Sequence, residues 1–153
     1  MTRVLAPMTP VADWVRLGLV ALAVPQVVTG TWALVDASHW FDHFPGFDPR
    51  LVAADPPFNA HLATDAGAGF LATGVVLLLA ARWGDRRSVV LSLVGYATFA
   101  VPHLVYHAAN PAPGLSRAED AVNVLVLAVA AAAPAVLLWG VARSSGHSWL
   151  PRR

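Results

Sequence analysis

Residues 61–107 read HLATDAGAGFLATGVVLLLAARWGDRRSVVLSLVGYATFAVPHLVYH. Two apolar runs, His61–Ala81 and Ser88–His107, flank a short polar turn, Arg82-Trp83-Gly84-Asp85-Arg86-Arg87. A membrane-crossing helix needs about 20 mostly apolar residues. Each run meets that length, and the turn between them is too short for anything but two antiparallel neighbours. The fold follows from this pair.

Working outward, two more runs qualify: Trp14–Val35, with Arg16 near its start, and Asp120–Ala142. The expectation is an all-α integral membrane protein, a four-helix transmembrane bundle in one domain over residues 1–153. Its helices cover about 14–35, 61–81, 88–107 and 120–142. A cleaved signal peptide is the other reading of the first run. Its apolar stretch is too long for one, and no convincing cleavage site follows.

Composition agrees. The chain has 153 residues, 57% hydrophobic and 12% charged. Soluble domains carry about twice that charge. A net charge of +1 without a long basic run argues against nucleic acid as a partner. All basic residues are Arg, and there is no Cys. That removes disulfides, thiolate catalysis, iron–sulfur clusters and Cys-ligated zinc. Any metal must be held by nitrogen and oxygen.

Arg3, Arg16, Arg82, Arg86, Arg87, Arg143, Arg152 and Arg153 fall on one side of the spans, and only Arg50 and Arg117 on the other. The positive-inside rule then puts both termini in the cytoplasm. The expected location is a bacterial inner (plasma) membrane, with the site facing outward. Trp14, Trp40, Trp83, Trp139 and Trp149 lie near span ends, as interface anchors do. Ser116-Arg-Ala-Glu119 is a capping box opening the last helix.

Five of the six His fall toward the outer side: His39, His43, His61, His103 and His107. His61 and Asp65 are four apart on one helix, as are His103 and His107 on the next, so each helix presents a two-residue stripe. At about 1.5 Å per residue from the Arg82–Arg87 turn, Asp65 and His103 both lie at roughly 25 Å, and His61 and His107 at roughly 30 Å. Asn123, counted back from Arg143, also lies at roughly 30 Å. Trp32 and Asp36 match these layers on the first helix. Hydropathy alone does not require the coincidence. Ionisable groups inside a membrane are costly and functional by default, so Asp65 should face the bundle and pair with a His or a metal. The bland alternative is an Asp65–His ion pair that only fixes helix packing.

Three His and one carboxylate suit zinc, copper(II) or non-haem iron. The expected ligands are His61, Asp65, His103 and His107, with Asp65 and His103 as the catalytic pair. Asn59, Asp120, Asn123 and Asp42 or His43 are supporting or additional ligands. Glu119 reads as the capping partner, His39 and His43 also as surface loop residues, and His147 as tail. The expected cofactor is one or two divalent transition-metal ions (copper, iron or zinc), with haem less favoured. Gly67, Gly69 and Gly74 allow close helix contact. Pro25 and Pro102 can kink their helices. The connection 36–60 holds an aromatic run, Ser38–Phe47, that reads as a lid over the cluster or as a membrane-surface loop with aromatic anchors.

The combination Phe41-Asp42-His43-Phe44-Pro45-Gly46, Asn59-Ala60-His61-Leu-Ala-Thr-Asp65-Ala-Gly67 and Val101-Pro102-His103-Leu-Val-Tyr106-His107 resembles a family of small four-span bacterial membrane proteins. The likeness covers nearly the whole chain in order. Members typically have Asn-Glu-His at the second motif, where this chain has Ala60. The resemblance implies which positions matter and gives no activity. In ligand type alone the set is similar to the Asp/His copper site of a membrane subunit of particulate methane monooxygenase, with different spacing.

Four functions compete. The leading expectation is a metal-dependent oxidoreductase acting on a lipophilic small molecule entering from the outer leaflet. The second is a metal-free isomerase or cyclase using Asp65 with His103 or His107. The third is a haem b electron carrier. The fourth is a non-enzymatic metal or proton binder, against which the inner halves of the later spans are Leu-, Val- and Ala-rich. The partners are the bilayer and the lipophilic molecule, and the chain could form a homo-oligomer.

Overall fold

The computed structural model describes residues 10–144. Arg3, His147, Trp149, Arg152 and Arg153, used above for topology or set aside, lie outside the described residues. All regular structure among the described residues is helical: α1 (Asp13–Val35), α2 (Ala37–His43), α3 (Ala60–Trp83), α4 (Arg86–Ala109) and α5 (Arg117–Ser144). α1, α3, α4 and α5 are each long and apolar enough to cross a membrane. The chain is therefore an all-α four-helix membrane bundle.

The turn at residues 82–87 forms as its residues demand. Gly84 takes the left-handed conformation that ends α3 (φ 68°), and its N–H donates to Ala80 O at 2.9 Å. Asp85 then opens α4, its carboxylate accepting from the backbone N–H groups of Arg87 (3.1 Å) and Ser88 (3.0 Å). Arg16 Nε donates to Ala81 O at 2.8 Å, a cation on the carbonyl end of α3. At the other end the capping box is present. Ser116 N–H donates to Glu119 Oε2 at 2.8 Å, and Glu119 N–H to Ser116 Oγ at 3.4 Å. The last helix thus starts at Arg117, three residues before the hydropathy limit of Asp120.

In the ring of spans, α1 packs on α3, α3 on α4, α4 on α5 and α5 on α1, and the diagonal pairs make no close backbone approach. The α1–α3 contact is the closest. A Cβ on Gly30 would meet the backbone of Leu71 and, at 2.7 Å, Gly67 O; one on Gly74 would meet Val27 N at 2.9 Å. Gly67 and Gly74 thus act as expected. Gly69 does not: nothing lies within 4 Å of its would-be Cβ, because it points away from α1.

One core draws on all four spans: Val15, Leu19 and Ala23 of α1, Leu77 and Ala80 of α3, Val89, Leu93 and Tyr96 of α4, and Leu137 and Val141 of α5. It fills the half that carries Arg16, Arg82, Arg86, Arg87 and Arg143, the arginine half. The opposite, histidine half has a smaller cluster of Ala33, Trp40 and Ala63, with Trp32, Phe41, Phe44, Val52 and Phe70 around it. No residue of α4 or α5 belongs to it.

The connection 36–60 is not a plain loop. Ala37–His43 form α2, capped by the Asp36 carboxylate accepting from His39 N–H at 2.9 Å. α2 packs against α1 and α3, and its backbone makes no close approach to α4 or α5. What reaches across is the chain after it. Gly114 N–H donates to Ala54 O at 2.9 Å, tying this connection to the α4–α5 turn. Trp40 is 6% exposed, packed on Ala33 and Ala63, and not an interface anchor. Trp14, Trp83 and Trp139 are 45–62% exposed, as anchors require.

Candidate functional site

The inward stripe of α4 is Val89, Leu93, Tyr96, Ala100, His103 and His107, in alternating steps of four and three. The first four are buried and the two histidines half-buried. His103 and His107 therefore continue the core-facing side of the helix. His103 stacks on Phe99 at 5.3 Å between ring centroids, and Phe99 meets Phe70 of α3 edge-on at 5.3 Å. The His107 ring lies 4.7 Å from that of His103, nearly perpendicular. The α4 helix runs unbroken through Pro102.

α5 repeats the pattern in reverse. Its stripe runs Asp120, Asn123, Leu127, Ala130, Pro134, Leu137 and Val141. Pro134, Leu137 and Val141 are buried, whereas Asp120 and Asn123 are half-buried in the histidine half. The four polar residues of α4 and α5 thus lie on the inward faces of two packed helices.

His61 and Asp65 are placed otherwise. They do pair, His61 Nε2 to Asp65 Oδ2 at 3.3 Å, but their side chains are 83% and 63% exposed. The buried stripe of α3 is Ala63, Gly67, Gly74, Leu77 and Ala81. His61 and Asp65 are two positions off it, on the opposite side of the helix. The expectation that Asp65 faces the bundle is corrected: the small residues at 63, 67 and 74 seek α1 and turn the ion pair outward. The expected set of four is thus two pairs on differently facing stripes. Among the described residues, no three His, Asp or Glu side chains form a group able to hold a metal ion.

The remaining candidates have local partners. Asn59 caps α3, its side-chain oxygen accepting from Leu62 N–H at 3.1 Å. Asp42 is exposed, and its carbonyl oxygen accepts from Arg50 at 3.2 Å. His43 stacks on His39 with 4.2 Å between centroids. Trp32 Nε1 donates to His39 Nδ1 at 2.9 Å, so these two histidines belong to an aromatic cluster at the α1–α2 junction. Two buried polar atoms lack a hydrogen-bond partner among the described residues, Gln26 Oε1 and Trp40 Nε1. Their only sequence signal is polarity inside an apolar or aromatic run.

The chain matches no family model, no curated protein and no solved structure.

Proposed function

We propose that this integral membrane protein binds a transition-metal ion in its histidine half, through His103 and His107, and acts as an oxidoreductase on a lipophilic small molecule. The observation that supports it is the inward stripe of α4, whose last two positions are imidazoles on adjacent turns with rings 4.7 Å apart. Two His at i and i+4 on one helix face are the spacing with which a helix supplies two ligands to one metal. His103 and His107 would hold the copper, iron or zinc ion, which would supply Lewis-acid or redox chemistry there. Asp120 and Asn123, on the inward face of the neighbouring helix, are the supporting groups. The placement of the site at the outer face of a bacterial plasma membrane, and membership of the four-span family that the motifs resemble, belong to the same proposal. The metal-free alternative is less well supported because Asp65, its acid, is largely exposed and pairs with His61.

Elemental analysis of detergent-purified protein tests the proposal. Wild type and His61→Ala should carry copper, iron or zinc, and His103→Ala/His107→Ala should not. Metal-free wild type after metal-supplemented expression, or metal retained by the double variant, would overturn it.

A further inference from the structure

The ion pair that α3 turns outward has a different use. Asp65 lies 17 positions before Arg82, roughly 25 Å along the helix from the arginine turn, and the hydrocarbon layer is about 30 Å thick. That leaves Asp65 about 5 Å inside the far edge of the layer, where an ionisable group still costs free energy against lipid and is best placed against protein or water. Yet it lies on a side of α3 that no other helix among the described residues covers, opposite the stripe that meets α1. The same side holds Ala68, Gly69 and Ala72, all exposed, and nothing lies within 4 Å of a Cβ built on Gly69. Small side chains there let another backbone come close.

We infer that two copies of this chain associate through the outward face of α3, with His61 and Asp65 of each copy pairing across the contact. The occupant is a second copy because the surface is complementary to itself. It presents an imidazole and a carboxylate together, 3.3 Å apart, as an isologous two-fold contact needs. Copies inserted in the same sense run their α3 helices parallel, with the ion pairs at one height and the small residues facing below them. The contact does not rest on the metal reading, since His61 and Asp65 lie outside the site proposed for the metal.

The absence of Cys makes the test clean. Ala72→Cys puts a single thiol on the outward face of α3. Gly95→Cys puts one on an exposed face of α4, where again nothing lies within 4 Å. After oxidation in the membrane, Ala72→Cys should run as a disulfide-linked dimer and Gly95→Cys as a monomer. Adding Asp65→Ala or His61→Ala to Ala72→Cys should lower the dimer several-fold with helix content unchanged by circular dichroism. A monomeric Ala72→Cys, cross-linking equal to that of Gly95→Cys, or a dimer yield indifferent to both substitutions would overturn the inference.

Discussion

Along α4 the inward residues are Val89, Leu93, Tyr96 and Ala100 in the arginine half and His103 and His107 in the histidine half. Along α5 they are Pro134, Leu137 and Val141 in the first and Asn123 and Asp120 in the second. The stripes are continuous, but full burial stops at Ala100 on α4 and at Pro134 on α5. α1 and α3 behave differently, keeping buried residues along their whole length, from Val15 to Ala33 and from Ala63 to Ala81. Lipid tails are as apolar as Leu, so helices in a membrane are held by close packing rather than by hydrophobicity. The arginine half supplies that packing for all four spans. The histidine half of α4 and α5 is thereby free to carry polar groups.

The contrast can be broken where packing is greatest. Leu77 is fully buried and Leu125 is 63% exposed. Leu77→Ala should cost about 2–5 kcal/mol in reversible unfolding from micelles, and Leu125→Ala should stay within about 0.5 kcal/mol. Equal losses would contradict the packing assigned to Leu77. A smaller effect compares two glycines. Gly30→Ala forces a methyl against α3 and should destabilise by about 1–3 kcal/mol. Gly69→Ala meets nothing within 4 Å among the described residues, and in the monomer should stabilise by about 0.5–1 kcal/mol, as Ala does for Gly inside a helix. The same measurement on both should return opposite signs. At the histidine end, Ser116→Ala removes one arm of the capping box and should cost about 1 kcal/mol.

The smallest effect is at the arginine turn and depends on pH. Hydrogen bonds from the Ser88 side chain and from the backbone of Ser88 and Arg87 hold the Asp85 carboxyl below its ordinary value. Its ionised form is thus favoured by folding. The contribution is complete above the unfolded-chain value and is lost as pH falls through the lower folded one. The thermal-stability advantage of wild type over Asp85→Ala should therefore be flat near neutral pH and shrink in acid. An advantage that grows in acid would contradict this cap.

Much of this was legible in residue spacing. Run lengths located the spans, Gly84 and Asp85 located the turn, and Ser116 with Glu119 located the start of α5. That His103 and His107 share a stripe was legible too, from their four-residue spacing. The facing of His61 and Asp65 was not. Four-residue spacing shows that two residues share a side, not which way that side points. Rotation of α3 is set by Ala63, Gly67 and Gly74 against Gly30 and Ala33, a pattern of small residues that hydropathy does not weigh. α2 is only seven residues long, and in the sequence its helical character is hidden among aromatic residues.

The glycine seam between α1 and α3 bears on how the protein is made. Gly30, Gly67 and Gly74 find their close neighbours within these two helices. Synthesis delivers both before α4 leaves the ribosome. The first hairpin therefore has its closest contacts complete within itself while the rest of the chain is still being translated.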